Sequence, residues 1–392
     1  MAVDILKLLD LVIKEDGSDL HLAVGITPRI RVHGRMRNVK AEPLKPEDTV
    51  EMMKVIAPQR NLLEFKEKGT TDFAYAYKDQ ARFRVSCYRQ RGMVGLAMRL
   101  LPNRILSFEQ IGLPLEVQQL LDRPRGLLLV TGPTGSGKTT TLATMVDYLN
   151  EKFDCHIVTI EDPIEYYHSS KTSIVTQREI GSDVGTFGEA MRRVLRMDPD
   201  VILLGEMRDR ETISTAITAA ETGHLVLATL HTTGASRTVD RIIDQFPPDQ
   251  QETIRVQLSV SIIAVISQVL MARCDKPGRA AAFEIMIMNS AVENHIRKNE
   301  SFKITSVIQT NRTRGMVLLD DYIIGLFKAG KVSKDECLAW AQNPIELRKK
   351  MDYMALGGTE DTMPPVAEDE AGKKNGGEKV TVGGLYPRKK TE

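Results

Sequence analysis

The chain has 392 residues and is 42% hydrophobic, enough for a sizeable buried core, so two domains plus a tail are expected. Its 53 basic and 52 acidic residues leave a formal charge of +1, which excludes a global field that would attract nucleic acid. Cys87, Cys155, Cys274 and Cys337 are single and widely spaced, which argues against a zinc site and a disulfide framework and fits a reducing cytoplasm. The start Met1-Ala2-Val3-Asp4-Ile5 lacks the basic residues and long apolar segment of a secretion signal. Val256 to Leu270 is the most apolar later stretch, but Ser259, Ser261, Ser267 and Gln268 interrupt it; it is expected to be a buried helix, not a membrane span.

In chain order, residues 3 to 14 place Ile5, Leu8, Leu9, Val12 and Ile13 at helical spacing and stop before Asp16-Gly17-Ser18, which predicts an amphipathic opening helix. Short β-like runs follow at 19–22 and 28–33, the second turning through Gly34, and 44–65 predicts helix. Three strands are expected at 71–77, 81–89 and 93–99; in the second, Phe83, Val85 and Cys87 alternate with Arg82, Arg84 and Ser86. These elements make a small α+β domain. His21 and His33 have no Cys or carboxylate partner at metal spacing and are expected to be structural.

Pro102 to Pro114 is irregular and reads as a hinge. Beyond it strands at 127–131, 156–161, 200–204 and 224–230 alternate with helices at 138–150, 187–197 and 210–222, which predicts a parallel sheet covered on both faces. Helices are expected to dominate from Pro248 to Trp340, with a short helix after Asn343-Pro344. Residues 358 to 392 are rich in Gly, Pro, Lys, Glu and Asp and hold too little apolar surface to fold alone.

The strongest local pattern is Gly132-Pro133-Thr134-Gly135-Ser136-Gly137-Lys138-Thr139, a complete G-x-x-x-x-G-K-[ST] phosphate loop between the apolar run Leu127–Val130 and the helical stretch from Thr140. Its glycines let successive N–H groups point at phosphate oxygens, and the following helix adds the positive end of its dipole. Lys138 would reach the β and γ phosphates of ATP, and Thr139 would ligate Mg2+. Asp200-Val201-Ile202-Leu203-Leu204-Gly205-Glu206 is an apolar strand bracketed by carboxylates. Glu206 falls at its C-terminal end, where ligands bind in parallel sheets, and can hold the metal or polarise the attacking water. Asp200, at the far end, reads as a cap. Glu161 or Asp162, in Ile160-Glu161-Asp162-Pro163-Ile164-Glu165-Tyr166, could face the same γ-phosphate. His224 and His231 flank one strand, roughly 20 Å apart if extended, so they cannot both touch one phosphate. One could sense the γ-phosphate while the other lies near a subunit boundary.

The phosphate loop, IEDPIEY, DVILLGEMRD and ETGHLVLATLHTT together resemble the secretion ATPase superfamily that drives type IV pili and type II secretion. Over roughly residues 1 to 350 the chain is similar to the type IV pilus retraction (twitching motility) ATPases of the PilT/PilU family. The resemblance names Walker A (132–139), an Asp box (160–166), Walker B (200–206) and a His box (221–233). It implies an α/β fold: an N-terminal PAS-like α+β domain over 1–104, a linker over 105–114, a RecA-like P-loop NTPase domain with a helical C-terminal region over 115–350, and a disordered tail over 351–392. The family's nucleotide-reaching arginines match Arg84 and Arg99, which the residues alone would leave as ordinary strand positions. The family's retraction-associated segment stands here as Ala291–Lys298, departing at Glu293 and His295. The Walker B strand and Thr232-Thr233 look like PilT, whereas Asn343–Arg348 and the tail look like PilU.

What the resemblance implies for function is a hexameric motor that hydrolyses ATP to power pilus retraction. Its implied partners are further copies of itself, an inner-membrane pilus platform protein and a second retraction ATPase. Its implied place is the cytoplasm, beside the inner-membrane pilus machine. Pilus-extension and type II secretion ATPases are the nearest alternative, but they add a longer N-terminal region and a four-cysteine zinc insertion that this sequence does not show. A nucleic-acid translocase is a third reading, disfavoured by the balanced charge and the missing aromatic-basic stripe.

Overall fold

A computed structural model describes residues 4–32, 35–78, 81–101 and 104–355. The opening helix runs over Ile5–Lys14, where the Asp4 carboxylate accepts the Leu6 amide and Ile5, Leu8, Leu9 and Val12 are buried. That face joins the core of a six-stranded antiparallel sheet: β1 (Gly17–Leu22), β2 (Arg29–Val32), β3 (Arg35–Asn38), β4 (Thr70–Tyr77), β5 (Ala81–Gln90) and β6 (Met93–Leu101), in the order β3-β2-β1-β6-β5-β4. The alternation in β5 holds, with Phe83, Val85 and Cys87 in the core and Arg84 exposed. Strand β3 was not expected. The helix expected over 44–65 is two helices, Pro46–Ile56 and Gln59–Lys68. Pro58 forces the break: it has no N–H to donate and pushes Ala57 to an extended ψ of 130°. His33 and Gly34 lie outside the described residues.

The stretch expected to be a hinge carries one short helix, Phe108–Ile111, capped by Ser107. The second sheet has seven strands: β7 (Gly126–Thr131), β8 (His156–Glu161), β9 (Ile174–Glu179), β10 (Val201–Leu204), β11 (Leu225–Leu230), β12 (Ile262–Ala272) and β13 (Arg279–Ile287), in the order β13-β12-β7-β11-β10-β8-β9. All neighbours are parallel except β12 and β13. Leu128 and Val130 of β7 meet the helices Leu115–Leu120 and Lys138–Lys152, while Leu127 and Leu129 meet Phe187–Val194, Arg210–Thr222, Ala235–Ile243 and Pro248–Ser261. Both faces are therefore covered, as a parallel sheet requires. Asp200 has the capping role expected of it: its Oδ2 accepts the His156 amide at 2.8 Å.

The structure departs from the expected buried helix over Val256–Leu270 and from the expected helical dominance after Pro248. The helix ends at Ser261, and 262–272 is β12, paired between β7 and β13. A continuous apolar run fits a buried helix and a buried strand equally by periodicity; its Ile262, Ile263, Val265, Ile266 and Val269 are β-branched and suit the pleat. Strand β9 was likewise not expected.

The described residues up to Gln342 pack as one compact unit, and a second unit begins at Asn343. It contains the helix Pro344–Ala355, so residues 351–355, assigned to the tail, are helical; the rest of that tail lies outside the described residues. Among the described residues no helix is long and apolar enough to cross a membrane.

Because β12 is buried on both faces, Ile263→Ala and Val265→Ala, which empty opposite cores, should each destabilise the protein by about 1–4 kcal/mol in chemical denaturation. On a helix these two positions would lie about 200° apart and one of them would face outward, so a loss below about 0.5 kcal/mol at either position would contradict the strand.

Candidate functional site

Parallel register brings four strand ends to one edge. Leu230 pairs with Thr131, and Leu204 pairs with both Ala228 and Ile160, so the residues following β7, β8, β10 and β11 emerge together. At the end of β7 the chain turns through Gly132, Gly135 and Gly137, all at positive φ, and enters the helix at Lys138. A Cβ on Gly132 would fall 2.2 Å from the Gln268 carbonyl oxygen, so only glycine fits there.

Lys138 is 8% exposed, and burial lowers its pKa. Its ammonium donates to the Gly132 and Pro133 carbonyls at 2.8 and 3.1 Å and lies 3.5 Å from Nδ1 of His231. The opposite ring nitrogen of His231 is 3.2 Å from Oε1 of Glu206, and Arg208 donates to Oε2 at 2.8 Å. Burial alone would raise the Glu206 pKa, but the bond and charge of Arg208, with His231, hold it below the usual carboxylate range. Lys138, His231, Glu206 and Arg208 thus form one chain of contacts.

Glu161 ends β8 beside this chain. It accepts bonds from the Thr159 hydroxyl at 2.7 Å and the Gln177 amide at 3.1 Å, and burial pushes its pKa up to about 7. It shares a cavity of about 30 Å³ with Thr139, Tyr166, His168 and Thr229. The Thr140 hydroxyl is 2.8 Å from that of Tyr166. Ser136 Oγ is buried without a partner, an atom with hydrogen-bonding capacity left for a ligand.

The remaining candidates stand elsewhere. His224 precedes β11 at the opposite edge of the sheet, with Nδ1 3.0 Å from the Ala219 carbonyl, so within the chain it is separated from the phosphate loop. Arg84 and Arg99 are cross-strand neighbours on β5 and β6. Arg99 donates to Asp19 at 2.9 Å, and Arg84 borders a cleft of about 590 Å³ shared with Asp162, Pro163 and Glu179. Neighbouring Arg82 ties the two sheets together. It donates to the Ile164 carbonyl at 3.1 Å and stacks 3.8 Å from the Tyr167 ring. Arg208 lies within the DVILLGEMRD motif, where its charge by itself gives no sign of a partner. Gln177 and Gln268 had no local signal.

The family model described as type II/IV secretion system protein matches residues 2–318. The type IV pilus retraction ATPase PilT of Pseudomonas aeruginosa is 45% identical over 342 residues, 87% of this chain and 99% of that protein. The type IV pilus ATPase PilU of the same organism is 37% identical over 342 residues, 87% of this chain and 90% of its own length. A crystal structure of the pilus retraction motor PilT with bound ADP superposes with a TM-score of 0.83 at 42% identity, over 88% of this chain and 99% of that one. With a glycine loop, a buried lysine and acidic strand ends on a matching fold, the chain belongs to the type II/IV secretion ATPases and, within them, to the PilT/PilU family of pilus retraction ATPases.

Proposed function

We propose that this ATPase works as a homohexameric motor at the cytoplasmic side of the inner membrane, hydrolysing ATP to pull subunits out of a type IV pilus. The observation that carries the reading is the convergence of Lys138, His231 and Glu206 beside the glycine loop. Its partners in this reading are an inner-membrane platform protein and a second retraction ATPase. PilT shares more identity with the chain than PilU does, which favours the PilT role.

The loop amides and the free Ser136 hydroxyl take phosphate oxygens, and Lys138 moves from the carbonyls of its own loop to the β and γ phosphates. The Thr139 hydroxyl and the Glu206 carboxylate are hard oxygen donors that suit Mg2+ arriving with nucleotide. The bound ion supplies neutralisation of charge on the β and γ oxygens. Water attacks the γ-phosphorus in line as the bond to the β-bridging oxygen breaks. Glu206, held ionised, orients that water; Glu161, whose raised pKa leaves it partly protonated near neutrality, holds the adjoining wall. Arg84 and Arg99 add positive charge from a neighbouring subunit, and His224 lies near a subunit boundary.

Lys138→Ala should abolish hydrolysis and weaken nucleotide binding by roughly 10- to 100-fold, the value of one or two charged hydrogen bonds. Glu206→Gln should bind nucleotide normally and lose about 10²–10⁴ in kcat. A Glu206→Gln protein with parental turnover would remove Glu206 from the mechanism.

The shared-site reading of Arg84 is tested by mixing. Arg84→Ala and Lys138→Ala proteins should each be nearly inactive, since arginine contacts to a transferring phosphoryl are worth ~10³–10⁵ in rate. Co-assembled rings, verified by co-purification of two tags, should regain ATPase activity at interfaces where both intact residues meet. Mixed rings no more active than the separate mutants would refute it.

A further inference from the structure

Gln268 lies on β12, 1% exposed, against the phosphate loop. Its Nε2 donates to the Ser136 carbonyl at 2.6 Å, and its Oε1 accepts from the Thr141 hydroxyl at 2.8 Å. The residue also touches both ends of the loop. A Cβ on Gly132 would collide with its carbonyl oxygen, and a Cβ on Gly137 would come within 3.1 Å of its Nε2. We propose that Gln268 is the positioning residue that sets the shape of the phosphate loop, clamping Ser136 to the first turn of the helix that carries Lys138. This rests on the nucleotide-binding reading of that loop.

The chemistry requires a carboxamide. Ser136 offers an acceptor and Thr141 a donor, and the amide is the side chain that presents one of each at this reach. A carboxylate would set acceptor against acceptor at Ser136 and place negative charge behind a loop built for anions. A thioether would leave both partners unpaired in a buried place. The preceding residue extends the effect: the Ser267 hydroxyl accepts the Gly234 amide at 2.9 Å, three residues beyond His231. Two consecutive residues of β12 thus hold the loop of Lys138 and the turn after His231 to one rigid strand, fixing the separation of the two side chains.

The test is calorimetric titration of ADP into the full-length chain and into Gln268→Met, Gln268→Glu and Thr141→Val, with thermal melts without nucleotide. The parent should bind ADP. Gln268→Met should weaken ADP roughly 10- to 100-fold, Gln268→Glu should weaken it more, and Thr141→Val should weaken it about three- to tenfold. In steady-state assays Gln268→Met should raise KM for ATP far more than it lowers kcat. A merely structural role would lower the melting temperature and leave the ADP affinity of folded protein unchanged, and Gln268→Met binding ADP within twofold of the parent would overturn the proposal. If Gln268→Met does not fold, Thr141→Val decides alone, with unchanged affinity overturning it. A parent chain that fails to bind ADP would remove instead the nucleotide reading beneath it.

Discussion

Four parallel strands that stop at the same edge of one sheet are the constraint on which the site depends. Side chains distant in sequence meet there because the ladder between β7, β11, β10 and β8 leaves no freedom in where each strand ends. Burial on both faces makes that register costly to slip, since a one-residue shift would exchange the two cores. The glycine loop then needs only to turn the chain back toward the strand ends. Lys138, Glu161, Glu206 and His231 are the groups the edge delivers.

Within the chain these groups satisfy one another. Lys138 rests on two carbonyls of its own loop, and the Glu206 oxygens are engaged by His231 and Arg208. A buried ammonium or carboxylate left unpaired would be strongly unfavourable, and each of these charges has a partner at hydrogen-bond distance. Arg82 and Arg60 extend the linkage to the first sheet: Arg82 holds the Ile164 carbonyl and Arg60 donates to Gly181 and to Ser182, so the segments flanking β9 are gripped from outside the ATPase sheet.

Much of this was legible in the residues. The phosphate loop announces itself because its chemistry needs glycines, lysine and threonine at fixed positions between an apolar strand and a helix. Glu206 follows from strand polarity, and the alternation in β5 reads directly. The distance argument that kept His224 and His231 apart also agrees with the geometry, since one meets Glu206 and the other Ala219 at the far edge. What escaped depends on partners remote in sequence. Gln268 is 132 residues from the carbonyl it holds, and the periodicity of its strand alone does not separate it from a buried helix. Arg208 carries no signal of its own within its motif; the fold sets it on Glu206.

In the proposed mechanism the strand-end cluster opens to receive the phosphates of ATP. A structure of the assembled protein with a non-hydrolysable ATP analogue and Mg2+ tests it most directly. Lys138 should have left the Gly132 and Pro133 carbonyls for the β and γ phosphates, and Glu206 should have exchanged Arg208 for the metal or its water. Nucleotide bound away from residues 132–139, or a Glu206 still held by Arg208 with the analogue in place, would contradict it.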